Sequence, residues 1–212
     1  MKLIGMLDSP FVRRVAISLQ RLELPYEHCN WSVGRDFDQI RAYSPLGRVP
    51  ALVLDDGAVL TESSAVLDYV DDRVGAARAL LPPTGLPRRE ALRLMAHAVG
   101  AAEKGRDQVY ETAMRPTEKV HAPWAQRLQA QMHGALSVLE AAAELRGAGW
   151  LVGESLTQAD ITVACAATFL GDTVLPDLAS RYPRLGGFTA RCEALAPFVA
   201  TRTPFFMPSR RS

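Results

Sequence analysis

The sequence predicts an α/β unit with a mixed four-stranded sheet over residues 1–77, a linker over 78–87 and an all-helical domain over 88–212. Three observations carry this. The stretch up to about residue 75 runs strand, helix, strand, helix, strand, strand, helix, and the hairpin inside that alternation gives the sheet an antiparallel edge. Next, Leu80-Leu81-Pro82-Pro83-Thr84-Gly85 is poor in helix and strand formers and marks a boundary. Beyond it, apolar residues recur at helical spacing with no competing strand signal.

Each element follows from local chemistry. Lys2 to Leu7 is a short apolar run suited to a buried strand, and Asp8-Ser9-Pro10 starts a helix with Ser9 at the N-cap and Pro10 at the first helical position. That helix ends near Leu24-Pro25. Tyr26 to Trp31 is a second strand, a short helix begins near Asp36, and Ser44-Pro45-Leu46-Gly47 is a loop. Ala51 to Leu54 then forms a strand, Asp55-Asp56-Gly57 turns the hairpin, and Thr61-Glu62-Ser63-Ser64 opens a helix that runs to about Val74. In the second domain, Arg88 to Arg115 carries Ala91, Leu92, Met95, Ala98, Val99 and Ala102, and Pro123 to Leu145 carries Leu128, Met132, Leu136, Leu139 and Ala143. Thr157 and Asp160 have capping-box spacing ahead of a nearly apolar segment, which assigns Asp160 a structural role. The Pro-rich, basic stretch from Phe198 to Ser212 is a tail expected to dock in part or fray.

Composition narrows the function. With 212 residues and 48% hydrophobic content the chain can bury a core, and 24 basic against 23 acidic residues, well mixed, give no field for collecting nucleic acid or anionic membrane. No apolar run approaches the roughly 20 residues that span a bilayer, and no leader h-region precedes Asp8, so a cytoplasmic protein is expected. Cys29, Cys165 and Cys192 contain no C-x-x-C, and the four histidines have no metal-type pairing, so no metal is assigned.

The stretch from Ser44 to Asp72 concentrates the remaining signals. Proline cannot donate to a ladder, so Pro50 stands at a strand's first residue or on an edge. A cis bond there would leave the N–H and C=O of Val49 for an extended ligand to pair with. The free N–H groups at the start of the following helix make an anion site, and Glu62 sets a carboxylate beside it. Such a surface suits a small peptide with both a free carboxylate and a free amine.

The runs Ser9-Pro10-Phe11-Val12-Arg13-Arg14-Val15 and Pro45-Leu46-Gly47-Arg48-Val49-Pro50-Ala51-Leu52, the Glu62-Ser63 pair and the Leu156-Thr157-x-x-Asp160 box together resemble the cytosolic glutathione S-transferases. They stand in that family's order and spacing, closest to bacterial members that begin S-P-F-V-R. The resemblance implies a thioredoxin-like N-terminal domain that binds glutathione, a helical C-terminal domain that supplies most of a hydrophobic cosubstrate pocket, and a homodimer. It also implies roles: Val49, before a cis Pro50, pairs with the cysteinyl part of glutathione; Glu62 and Ser63 hold the γ-glutamyl end; Arg48 reaches the glycyl carboxylate; Ser9 matches the catalytic serine. Phe11 joins this group, either at the mouth of the site or packed into the core.

A free thiol with a pKa of about 8.5 is mostly protonated at neutral pH, and lowering it by two units takes about 2.7 kcal/mol of positive potential and hydrogen bonding at the sulfur. Ser9 at a helix N-terminus can supply both, unless its hydroxyl only caps the helix. Serine at this position lacks the nucleophile of mixed-disulfide chemistry, which disfavours a thioltransferase. Ala102, Arg106 and Tyr110 share one helical face, so Arg106 and Tyr110 either line a second-substrate pocket over Ser9 or form a solvated or dimer-facing stripe. The expected activity is glutathione conjugation of a small electrophile, a detoxifying transferase reaction. The alternatives are a non-catalytic binding or regulatory protein of the same fold, and peroxide reduction, dehalogenation or isomerisation with glutathione.

Overall fold

The computed structural model describes residues 1–206, so the last part of the expected tail, 207–212, lies outside the described residues. The chain starts with β1 (Lys2–Ile4), α1 (Pro10–Arg21), β2 (Glu27–Cys29), α2 (Phe37–Arg41), β3 (Ala51–Val53), β4 (Val59–Thr61) and α3 (Ser63–Val74). The sheet order is β2-β1-β3-β4, with β1 parallel to β2 and antiparallel to β3, and β3 antiparallel to β4. This is the mixed sheet expected from the element order.

Strand side chains alternate between faces, and the two faces build two cores. Leu3 lies opposite Leu52 and both enter the main core with α1 and α3, while their neighbours Ile4 and Ala51 point the other way, to Ile40 of α2. Trp31 and Tyr43 close that second cluster, their ring centroids 5.9 Å apart. The sheet is therefore covered on both sides and its upper edge is left for the loops.

Helices follow: α4 (Gly85–Val109), a π-helical turn (Tyr110–Met114), a 3-10 turn (Thr117–Lys119), α5 (Ala122–Arg146), α6 (Gln158–Thr173), α7 (Leu178–Arg181), α8 (Pro183–Glu193) and α9 (Ala196–Ala200). The periodic residues of α5 are all buried as their spacing predicts, and α6 is buried almost throughout. Asp160 is fully buried and accepts from the N–H groups of Leu151 (2.8 Å) and Thr157 (2.7 Å) and from the Thr157 hydroxyl (2.8 Å). Its structural role is thereby accounted for.

The two units are joined by specific contacts. Arg13 donates two hydrogen bonds to the Glu193 carboxylate, at 2.7 and 2.6 Å, and a third to the Phe198 carbonyl at 3.0 Å. The Gln158 N–H donates to the Leu80 carbonyl at 2.9 Å.

Three differences from the sequence expectation have physical reasons. Thr61 is the last residue of β4 and not part of the helix, because Glu62 takes a positive φ of 72° and turns the chain there. α4 begins at Gly85, inside the expected linker, where the glycine supplies a φ of 74°. Leu92 of α4 is exposed, opening with Leu67, Leu81, Met95 and Val99 onto a groove of about 350 Å³ between α3 and α4.

Candidate functional site

Gly5 brings the first parts of the site together. Its φ is 132°, and a Cβ there would lie 2.6 Å from Val12 Cγ2 and 2.7 Å from Val49 Cβ, so only glycine lets α1 and the Val49 loop approach this closely. The Val49–Pro50 peptide bond is cis, and Ala51 begins β3. The backbone N–H and C=O of Val49 lie outside the strand ladders and have no partner among the described residues. They are available to an extended ligand, as the sequence suggested.

Ser9 occupies the N-cap position of α1, with extended backbone angles of −74° and 124°. Its carbonyl accepts from the Arg13 N–H at 2.9 Å, yet its side chain makes no capping hydrogen bond. The reading of Ser9 as a plain side-chain cap is thereby corrected: the half-buried hydroxyl is left without use by the helix. It stands at a helix N-terminus beside N–H groups that, like those of any first turn, favour negative charge.

The third part is the start of α3. A φ of 72° is unusual outside glycine, and holding Glu62 there aims its carboxylate back over its own helix. One oxygen accepts from the Ser64 N–H at 3.0 Å and the other from the Ser63 hydroxyl at 3.2 Å. Ser63 is buried, whereas Glu62 reaches solvent.

Sequence reasoning assigned no role to Arg14, which lies beneath this turn. Its guanidinium donates to the Ser63 hydroxyl (2.7 Å), the Ser64 hydroxyl (2.9 Å) and the Thr162 hydroxyl (3.3 Å), and it is 1% exposed. Burial lowers its pKa to about 10, although the Glu62 charge opposes that shift. The available signal was a basic residue one helical turn before Ser18, on a helix whose neighbours are apolar.

Other predicted residues are less engaged. Arg48 is exposed and without a partner among the described residues. Phe11 packs half-buried against the main core. Arg106 is neutralised by Asp107, at 2.7 Å, and Tyr110 is 43% exposed at the start of the π-helical turn, which shifts the helical register after Val109. Ala102 is buried, so the three do not present one common surface. Neither Arg106 nor Tyr110 hydrogen-bonds to Ser9 or to any other residue of the N-terminal unit.

The last described residues come back to the site. The Phe206 N–H donates to Asp8 at 3.2 Å, next to Ser9, and Phe205 packs edge-on against Phe169 at 5.6 Å. Burial pushes the Asp8 carboxyl above the usual range.

The thiols are inert. Burial raises Cys29, raises Cys165 to about 12 and raises Cys192 further, so none is poised as a thiolate. Among the described residues no group of three or more His, Cys, Asp or Glu is placed to hold a metal, and no helix is long and apolar enough to cross a membrane.

Comparison with known proteins adds to this geometry. Residues 3–78 match the glutathione S-transferase N-terminal domain family and residues 122–191 match the C-terminal domain family. A curated relative, an uncharacterized GST-like protein YibF from Escherichia coli K12, is 29% identical over 175 residues, covering 80% of this chain and 82% of the relative. A glutathione transferase family member from Pseudomonas fluorescens with bound glutathione is 31% identical at a TM-score of 0.83, covering 96% of this chain and 99% of that one. A glutathione S-transferase from Methylobacterium radiotolerans, in complex with glutathione sulfonate, superposes at a TM-score of 0.86 with 26% identity, covering 100% of this chain and 96% of that one.

Proposed function

Because the chain belongs to the glutathione S-transferase family, we propose that it binds glutathione across Val49 and the start of α3 and activates the thiol with Ser9. In this reading the backbone of Val49 pairs with the cysteinyl residue, Glu62 takes the γ-glutamyl amine, and Ser63 with the first N–H groups of α3 takes the γ-glutamyl carboxylate. Arg48 reaches the glycyl carboxylate, and Phe11 with Pro50 forms the wall behind the peptide. The family's printed names supply the ligand; the residues of this chain supply the fit.

The observation that carries the chemistry is the Ser9 hydroxyl, which sits at a helix N-terminus without capping it. Donating a hydrogen bond to the sulfur, it stabilises the thiolate over the thiol, and the proton leaves to solvent. The thiolate then attacks an electrophilic carbon: one C–S bond forms and the leaving group departs with the electron pair of the bond it breaks. With all three thiols buried or raised in pKa, exchange chemistry through a protein cysteine is disfavoured.

Arg106 and Tyr110 are assigned to the mouth of a second-substrate pocket. A homodimer is assigned to the groove between α3 and α4, where exposed Leu92 gains burial by pairing. The cytoplasm, with its supply of glutathione, fits this activity. The test is conjugation of a chloronitrobenzene by the wild type and by Ser9→Ala. The reading expects a large fall in turnover with glutathione binding retained; an unchanged rate removes Ser9 from the chemistry.

A further inference from the structure

Arg14 is a full cation with no counter-ion. Buried charges are normally paired, since an unpaired one carries a large desolvation cost. Yet Arg14 donates only to three hydroxyls, those of Ser63, Ser64 and Thr162, and forms no ion pair among the described residues. Its Nε is buried without any partner. The contrast with Arg13, the adjacent residue on the same helix, is direct: Arg13 is equally buried and is matched by the Glu193 carboxylate at 2.6 Å.

We propose that Arg14 is a positioning residue whose missing counter-charge is the α-carboxylate of the ligand's γ-glutamyl end, felt through the Ser63 hydroxyl. The inference rests on the glutathione reading above and adds to it a residue that does not touch the ligand. Ser63 accepts a charge-assisted hydrogen bond from Arg14 on one side, at 2.7 Å, and now directs its own proton to Glu62 on the other, at 3.2 Å. Hydrogen bonds in such a chain polarise one another, so a hydroxyl that accepts from a guanidinium is a better donor. A carboxylate arriving at the start of α3 takes that donor over and meets the buried positive charge one bond behind it. Ser64, held by the same guanidinium nitrogen at 2.9 Å, keeps the first turn of α3 fixed while Ser63 changes partner. The Thr162 contact ties the arrangement to α6, so the carboxylate subsite is anchored in both domains.

Charge can be separated from shape by comparing glutathione with its analogue in which the γ-glutamyl α-carboxylate is a carboxamide. Both fill the same space and accept a hydrogen bond from Ser63, but only one carries the charge. A helix N-terminus alone favours the anion by about 0.3–1 kcal/mol, which is less than roughly fivefold in Kd. Calorimetry with the wild type is expected to give discrimination of tenfold or more. In Arg14→Gln, which keeps a donor but loses the charge, the ratio is expected to fall below about fivefold, and in Arg14→Lys to recover. Loss of affinity for both ligands by the same factor in Arg14→Gln would make Arg14 merely structural and overturn the proposal. If Arg14→Gln does not fold, the wild-type ratio decides, and a value under tenfold overturns it. A wild type that binds glutathione without discriminating defeats this inference alone, whereas one that binds no glutathione defeats the proposed function with it.

Discussion

The N-termini of α3 and α6 use the same device for opposite ends. At α6 the anion is internal: Asp160 saturates the free N–H groups around it with bonds of 2.7 to 2.8 Å and is sealed from solvent. At α3 the chain's own carboxylate, Glu62, is held over the rim with a positive φ and a solvent-facing oxygen, while a buried cation lies underneath. A closed cap stabilises the fold; an open one, kept in a strained conformation by the surrounding structure, waits for a charge from outside. The comparison teaches that burial of the anion separates the structural helix start from the functional one.

The comparison can be broken first at α6. Asp160→Ala strands the Leu151 and Thr157 N–H groups in the core, at about 1–3 kcal/mol each, so urea unfolding should show a loss of about 3–5 kcal/mol with glutathione affinity of the remaining folded protein unchanged. Asp160 also sets a pH dependence. Burial raises its folded pKa above 3.8, so the protonated form is favoured by folding. The stability of the wild type relative to Asp160→Asn should therefore be greatest below pH 3.8 and decline as pH rises through the folded value. An advantage that grows with pH would contradict the burial account.

Next comes α1, the third helix start. Ser9→Ala should lower turnover about 10²- to 10³-fold, as removal of one stabilising donor does elsewhere, with little change in melting temperature because no cap bond is lost. Ser63→Ala should weaken glutathione binding about tenfold, or ~1.4 kcal/mol, leaving stability near that of the wild type. A stability loss matching that of Asp160→Ala would mean that the α3 start is also a structural cap. The smallest effect is expected from Arg48→Ala, a few-fold in Kd and reduced further by added salt, since an exposed charge is screened.

Much of this was readable in the residues. Pro10, Pro50 and the Thr157–Asp160 spacing have local consequences, and each of those elements formed where local chemistry put it. The order of strands followed from alternation alone. What the sequence did not carry is tertiary. The φ of Glu62 depends on what surrounds it, so Thr61 read as helical. The π-helical turn at Tyr110 breaks the spacing that had grouped Ala102 with Arg106 and Tyr110. Arg14 acquires meaning only where α1, α3 and α6 meet, and nothing in its neighbours along the chain distinguishes it from Arg13.

The most direct measurement is calorimetric titration of the wild-type protein with glutathione, repeated on Ser63→Ala. An α3 start open to an external carboxylate predicts one saturable site per chain with a Kd between about a micromolar and a millimolar, weakened about tenfold by the substitution. No saturable heat in the wild type, or equal affinity in the two proteins, would contradict it.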